Sequence, residues 1–472
     1  MMTSRPRKSK DRRQKAKPPR ACGALVPDSA PRNEALARVR QYRFDTIAVR
    51  GLYTLQESLV KNQGATMEPL FLSAAQAYRD SNEMEAALAY RIPTWCYTRI
   101  HNPTLGYLED TLALLESYGT GVDAGCCLFA SGMAAIAGVT DALLVQEPGK
   151  QLNFVATCQV YGGTFQQFTV RKMQERGIEV RWVVDSNNLD EWRSKIDANT
   201  RFLYGELPSN PGLAFFDLAP VAQLAHEHGL PFVADSTIAS PALLRPLGHG
   251  ADIVIQSVTK VMSCSGAGMA GAVIARKPIL AHFLQTDVKA DFAQYLKLWP
   301  QRDTGGCLHP FQAALTMNDL RTLRARVDLW SQSALQVARW LEGHGRVLAV
   351  NYLGLPGHPL HKVARKYLWL VDAEHDQRYG RPVNRYGHML SFRVRGGAQA
   401  ARNVFDRFEM IWRATDLGRV KTMATIPAIS THQQQGEAGR RLAAIPADLI
   451  RLSVGAEHPD DIINDLEQAL AG

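Results

Sequence analysis

Between about Cys126 and Gln256 the chain alternates short β-rich runs with stretches of helical periodicity, and no other feature narrows the possible folds as far. Cys126 to Ala130, Leu152 to Thr157, Val180 to Val184, Phe202 to Glu206, Phe232 to Ala234 and Ile253 to Gln256 read as strands. Gly132 to Val145, Gly163 to Arg176 and Leu218 to His228 read as helices between them. Adjacent parallel strands need a crossover long enough to hold a helix, so this order predicts a mainly parallel sheet covered on both faces. The expected class is α/β.

A second part follows with a different pattern. Pro310 to about His344 reads as one long helix through Leu315, Leu320, Leu323, Val327, Leu335 and Leu341. Beyond it Val347 to Tyr352, Met389 to Val394 and Leu449 to Ser453 read as strands, and Gln399 to Met410 and Pro459 to Leu470 as helices. The last helix is marked by Pro459 at its start, Asp460 and Asp461 in its first turn, and an apolar face of Ile462, Ile463, Leu466 and Leu470. Residues 1 to about 100 show no regular period. The expected organisation is a disordered basic tail over 1–40, an extended N-terminal arm over 41–105, a large domain over 106–310 and a smaller α/β C-terminal domain over 311–472.

The formal charge of +9 sits almost entirely in residues 1 to 20, where nine Lys and Arg accompany the single acid Asp11. The remainder is nearly neutral, so the basicity describes a solvated tail and not a nucleic-acid-binding fold. A non-catalytic or nucleic-acid-tethered protein using that tail is the competing reading from another class. The longest uncharged stretch, Ala124 to Thr140, is interrupted by Gly125, Ser131, Gly132 and Gly138, which predicts no membrane span. Seven scattered cysteines with no C-x-x-C pair predict neither a disulfide framework nor a metal site, and with no secretory segment they point to the cytoplasm.

The segment A-D-I-V-I-Q-S-V-T-K, residues 251 to 260, delivers Ser257, Thr259 and Lys260 from the end of an apolar strand. A lysine held where the neutral amine is favoured can form a Schiff base with an aldehyde cofactor, and the two hydroxyls can hold a phosphate. Asp235 ends the strand-like P-F-V-A-D, where a buried carboxylate needs a partner such as a pyridinium nitrogen, or caps the next segment. Ser131, Gly132 and Met133 stand at a strand-to-helix junction, whose free amides suit a phosphate. Each feature alone is common in proteins that bind nothing.

Their combination and order resemble the Cys/Met-metabolism (trans-sulfuration) family of pyridoxal 5'-phosphate (PLP) enzymes, and within it the O-acetylhomoserine sulfhydrylases. The similar segments include Y-T-R-I-H-N-P-T (97–104), S-G-M-A-A-I (131–136), Y-G-G-T-F (161–165), E-L-P-S-N-P-G-L (206–213), V-A-D-S-T (233–237), S-T-H-Q-Q (430–434) and R-L-S-V-G-A-E-H (451–458). The resemblance implies the fold type I architecture of aspartate aminotransferase-like enzymes. It also implies that Lys260 holds PLP and moves protons, that Asp235 faces the ring nitrogen, and that Gly132, Met133, Ser257 and Thr259 bind the phosphate. Tyr161 is implied to stack on the ring and act as acid or base, Asn210 to lie by the ring hydroxyl, and Arg451 to bind the substrate α-carboxylate. Tyr97 and Arg99 are implied to reach the phosphate of a neighbouring subunit, making a homodimer the smallest active unit and a homotetramer the expected assembly.

The implied activity is γ-replacement on an O-activated homoserine by a thiol or sulfide, within methionine and cysteine metabolism. A γ- or β-lyase releasing a 2-oxo acid and ammonia is the alternative. Two departures from the family pattern stand out. The loop after the lysine, Ser263 to Gly268, lacks the family's histidine, and Asp416-Leu417-Gly418 stands where Ser-Leu-Gly is usual. Asp416 is accordingly expected to lie in the substrate site beside Arg451 and partly neutralise it.

Overall fold

The computed structural model describes residues 30–92 and 95–472, so the basic run of residues 1 to 20 and Cys22 lie outside the described residues. A seven-stranded sheet is built from β1 (Ala124–Phe129), β2 (Asn153–Thr157), β3 (Glu179–Val183), β4 (Thr200–Glu206), β5 (Phe232–Asp235), β6 (Ile253–Gln256) and β7 (Gly271–Arg276). Their order is β1-β7-β6-β5-β4-β2-β3. Strands β3, β2, β4, β5 and β6 run parallel to one another, and β7 runs antiparallel to both β6 and β1.

Alternate residues of these strands feed two apolar layers. Leu128, Val155, Leu203, Ala234 and Val254 face one layer, and Phe129, Phe154, Phe202, Val233 and Ile253 the other. Phe154 stacks on Phe202 with ring centroids 4.6 Å apart. Each fully buried side chain of this size contributes about 1.5 to 3 kcal/mol, and burial on both faces explains why the strands read as continuous apolar runs.

A second, five-stranded sheet contains β8 (Val347–Asn351), β9 (Met389–Val394), β10 (Trp412–Arg413), β11 (Met423–Thr425) and β12 (Leu449–Ser453), ordered β10-β11-β12-β9-β8. One face packs on the helices Leu323–Gly343, Gly397–Asp406 and Pro459–Ala471.

The structure corrects three sequence readings. The single long helix is two, Pro310–Leu320 and Leu323–Gly343. At the break the Arg326 guanidinium occupies the carbonyl of Asp319 (2.5 Å) and the hydroxyl of Thr322 (2.9 Å), taking an acceptor that a continuous helix would need. The stretch expected to be an extended arm carries helices Phe44–Arg50, Leu55–Lys61 and Ser81–Leu88, and Ala30–Val39 within the expected tail is helical. These helices are too short to display a period, yet two carry readable start signals: Thr54 accepts from the amide of Glu57 and Asp80 from that of Glu83. Strand β7 is the third, absent from the reading because its branched pair Val273 and Ile274 is short and flanked by Gly271, Ala272 and Ala275.

No helix among the described residues is long and apolar enough to cross a membrane. Glu116, on the helix Pro103–Ser117, is buried and among the described residues has only the Gln256 amide as hydrogen-bond donor, at 3.3 Å, so burial pushes its carboxyl up to about 8. The folded chain therefore keeps a proton that the unfolded chain releases above the ordinary value of 4.5, and stability falls as pH rises from there to about 8. Glu116→Gln mimics the protonated acid. It is expected to change stability little at pH 5 and to add about 2 to 4 kcal/mol at pH 8, as read by denaturant unfolding at both values; an equal effect at both would refute the assignment.

Candidate active site

Because the strands are parallel, the carboxyl ends of β4, β5 and β6 open on one edge of the large sheet, where α/β proteins place their ligands. Glu206 ends β4, Asp235 ends β5, and β6 leads through Ser257 and Thr259 to Lys260. From the other sheet, β12 directs Arg451 to the same place, so that its guanidinium donates to the Asn210 side-chain carbonyl at 3.0 Å.

Arg451 is fully buried, and its Nη2 donates to the main-chain carbonyls of Thr415 (2.9 Å) and Asp416 (2.8 Å). Burial pulls its pKa down to about 10, so it stays charged at neutral pH. Its Nε is buried with no hydrogen-bond partner among the described residues, a donor left over for an incoming acceptor.

Asp235 is 6% exposed and accepts from the amide (3.0 Å) and hydroxyl (2.6 Å) of Thr237. Burial pushes its carboxyl up against the pull of those donors. Glu206 lies opposite Asp235 in the strand register and accepts the amides of Tyr161 and Asn210, each at 2.7 Å. Burial, then the charge of Asp235, holds Glu206 well above the usual carboxylate range. Tyr161 is 37% exposed, edge-on to His432 with centroids 6.4 Å apart, and burial of its hydroxyl raises that group.

The helix Gly132–Leu143 starts beside the β6 turn. Ser131 caps it by accepting the Ala134 amide at 3.1 Å, and a Cβ on Gly132 would lie 2.7 Å from that of Ser257. The opening amides of the helix lack intrahelical acceptors, so this turn, beside Met133 and Ser257, is of the kind that could hold an anion. Thr259 is more occupied than the sequence suggests: its hydroxyl donates to the Ala270 carbonyl and accepts the Ala270 amide, both at 3.0 Å.

The Lys260 amine donates to Asp416 Oδ1 at 2.6 Å, and the other carboxylate oxygen accepts from Arg419 Nε at 2.6 Å. Asp416 thus stands beside Arg451, whose guanidinium its main-chain carbonyl binds and its charge favours, but the hydrogen bonds of its carboxylate go to Lys260 and Arg419. Burial lowers the Lys260 pKa below the ordinary lysine value despite Asp416, which pulls the other way.

Tyr97 and Arg99 stand apart. Arg99 donates to the Arg302 carbonyl and lies 5.5 Å from the Tyr97 ring centroid; neither hydrogen-bonds to Lys260, Asp235 or Arg451 among the described residues. Glu206 and Arg419 join the site without having been singled out from sequence. Glu206 carries the signal used for Asp235, an acid ending a buried strand, whereas Arg419 follows Asp416 in a stretch with no distinctive pattern.

A cluster of this chemistry fits an aldehyde cofactor with a phosphate: an amine, a buried acid and a helix start suited to an anion on one edge. The family model for Cys/Met metabolism PLP-dependent enzymes matches residues 45–471. The chain belongs to this family. As a member it is a PLP-dependent enzyme, and PLP is its cofactor. It is 33% identical to the O-succinylhomoserine sulfhydrylase of Pseudomonas aeruginosa, over 91% of this chain and 95% of that protein. It is 32% identical to the L-methionine gamma-lyase of Pseudomonas deceptionensis, over 91% and 98%. A solved structure of a putative O-acetylhomoserine (thiol)-lyase from Campylobacter jejuni, which contains a pyridoxyl-lysine phosphate, superposes with a TM-score of 0.79 at 28% identity, covering 91% of this chain and all of that one. The PLP-dependent transferase fold expected from the resemblance is therefore the fold of the chain.

Proposed function

We propose that the chain replaces the activated γ-substituent of an O-acylated homoserine with sulfide or a thiol. The observation that carries this is the convergence of Lys260, Asp235 and Arg451 on one edge, in a chain similar to sulfhydrylases over nine-tenths of its length. Gly132, Met133 and Ser257 would hold the PLP phosphate, with Thr259 bracing the turn; Asp235 would hold the ring-nitrogen proton, with Asn210 beside the ring. When bound, PLP supplies a sink for the negative charge left at Cα.

Arg451 binds the substrate carboxylate through its remaining donors, fixing the amino acid for proton removal. The Lys260 Nζ takes the Cα proton, and its lowered pKa keeps neutral amine available. Tyr161, anchored through its amide to Glu206, serves as acid or base near the leaving group. The six described cysteines are unpaired, which supports a reducing, cytoplasmic setting.

The lyase reading is favoured by the likeness to a γ-lyase. Assays of acetyl-, succinyl- and phospho-homoserine, cystathionine and methionine, each with and without sulfide, separate the two. Sulfide-dependent consumption of an acyl-homoserine without ammonia is expected; release of ammonia and a 2-oxo acid without sulfide would replace this reading with the lyase.

We further infer that Tyr97 and Arg99 complete the site of a second copy, because both stand clear of the site in their own chain. Inactive Arg99→Ala and Lys260→Ala proteins, mixed under verified subunit exchange, should recover up to about a quarter of wild-type activity, since one site in a hybrid dimer then carries both native residues. No recovery would count against a shared site.

A further inference from the structure

The two departures from the family pattern form one structure. Segment 416–420 lies along segment 259–264: Val420 donates its amide to the Cys264 carbonyl at 3.0 Å, and Arg419 donates from Nη1 to the carbonyls of Thr259 (2.6 Å) and Ser263. Gly418 allows this approach, since a Cβ there would stand 2.7 Å from the Val261 amide nitrogen at a φ of +68°. A side chain at 416 is thereby set against the lysine. The Asp416 carboxylate is fixed from two further directions, by its neighbouring Leu417 amide at 2.9 Å and by Arg419 Nε at 2.6 Å. Arg419 is itself held and 6% exposed.

We propose that Asp416 is a catalytic residue of this enzyme, a carboxylate that sets the proton affinity of the Lys260 amine, and that Arg419 is the positioning residue that both aims and moderates it. The proposal rests on the reading of Lys260 as the amine that carries the cofactor. The charged and titratable groups facing this pair are Arg419, Arg451 and Tyr161. Both arginines favour the neutral amine and Asp416 favours the ammonium, so the carboxylate is the one group near Nζ among these that retains the proton. An amine so placed is a stronger base toward a carbon acid, and it must lose its proton before it can attack an aldehyde. Asp416 thus strengthens the base used in turnover and slows capture of the cofactor by the empty protein.

The test reads the amine directly. Trace acetylation of the cofactor-free protein with acetic anhydride, followed across pH by mass spectrometry of the Lys260 peptide, gives the midpoint at which the amine becomes neutral. Asp416→Asn, which keeps the shape and removes the charge, should lower that midpoint by about 1 to 3 pH units, and should speed PLP capture at pH 7 by roughly tenfold or more. Loosening of the site would hydrate the amine and raise the midpoint, so the lowering in Asp416→Asn is the direction that loosening does not produce. Arg419→Gln should move the midpoint upward, and Arg419→Lys, which keeps the charge, should not. A midpoint unchanged or raised in Asp416→Asn overturns the proposal, as does one unchanged or lowered in Arg419→Gln should the first variant fail to fold. If instead the acetylation shifts appear but neither protein takes up PLP, the fault lies with the reading of Lys260 as the cofactor residue.

Discussion

Lys260→Ala should abolish the visible absorbance of bound cofactor and reduce turnover by a factor of roughly 10³ or more. Two losses combine: the covalent hold on the cofactor, and the base positioned at Cα. The surroundings favour a clean result, because the lysine is a donor to Asp416 at 2.6 Å on a loop braced by Arg326, whose guanidinium bonds the Val261 and Met262 carbonyls. Removing the amine leaves that brace intact, so the variant should fold. A small primary amine added to the assay should restore part of the turnover by entering the space left by the side chain. A Lys260→Ala protein turning over at the wild-type rate would eliminate Lys260 from the chemistry.

Arg451→Met should be nearly as damaging by a different route. The wild-type guanidinium is fully buried, donates to Asn210, Thr415 and Asp416, and keeps Nε free among the described residues. Methionine fills similar space but leaves three acceptors without a donor and an incoming carboxylate without a counter-charge. A loss of about 2 to 4 kcal/mol in transition-state binding, or roughly 30- to 1000-fold in kcat/KM, is expected. The comparison that isolates the cause is a substrate analogue with an α-carboxamide in place of the carboxylate. Wild type should already discriminate strongly against it, and the mutation should add little further loss. Equal loss on both substrates would mean that Arg451 supports the site without contacting the carboxylate. His388, buried and within reach of this arginine's charge, is held neutral by burial with a pKa pulled down to about 3 and adds no competing charge at neutral pH.

Much of this site could be read from the chain because its chemistry hangs on strand ends. Asp235 and Lys260 each follow an apolar strand, and a parallel sheet gathers the carboxyl ends of its strands at one edge. Periodicity therefore located them before any coordinates. Glu206 obeys the same rule and was legible in principle. The N-terminal helices were not, because seven- and eight-residue helices are too short to display a period, and β7 carries only the short branched pair Val273 and Ile274 between Gly271-Ala272 and Ala275.

The sequence by itself determined the α/β class and the strands that end in Asp235 and lead to Lys260, and the family resemblance pointed to Arg451. Tertiary structure alone decided which of these groups touch. Asp416 and Arg451 are 35 residues apart in sequence and could have paired through their side chains; instead the Gly418 turn seats segment 416–420 on the lysine loop, and the carboxylate meets Lys260 and Arg419. The physical reason is the range of the two effects. Hydrophobic periodicity is local and survives as a pattern in the chain, whereas the direction of one carboxylate depends on hydrogen bonds and close contacts made between segments more than 150 residues apart.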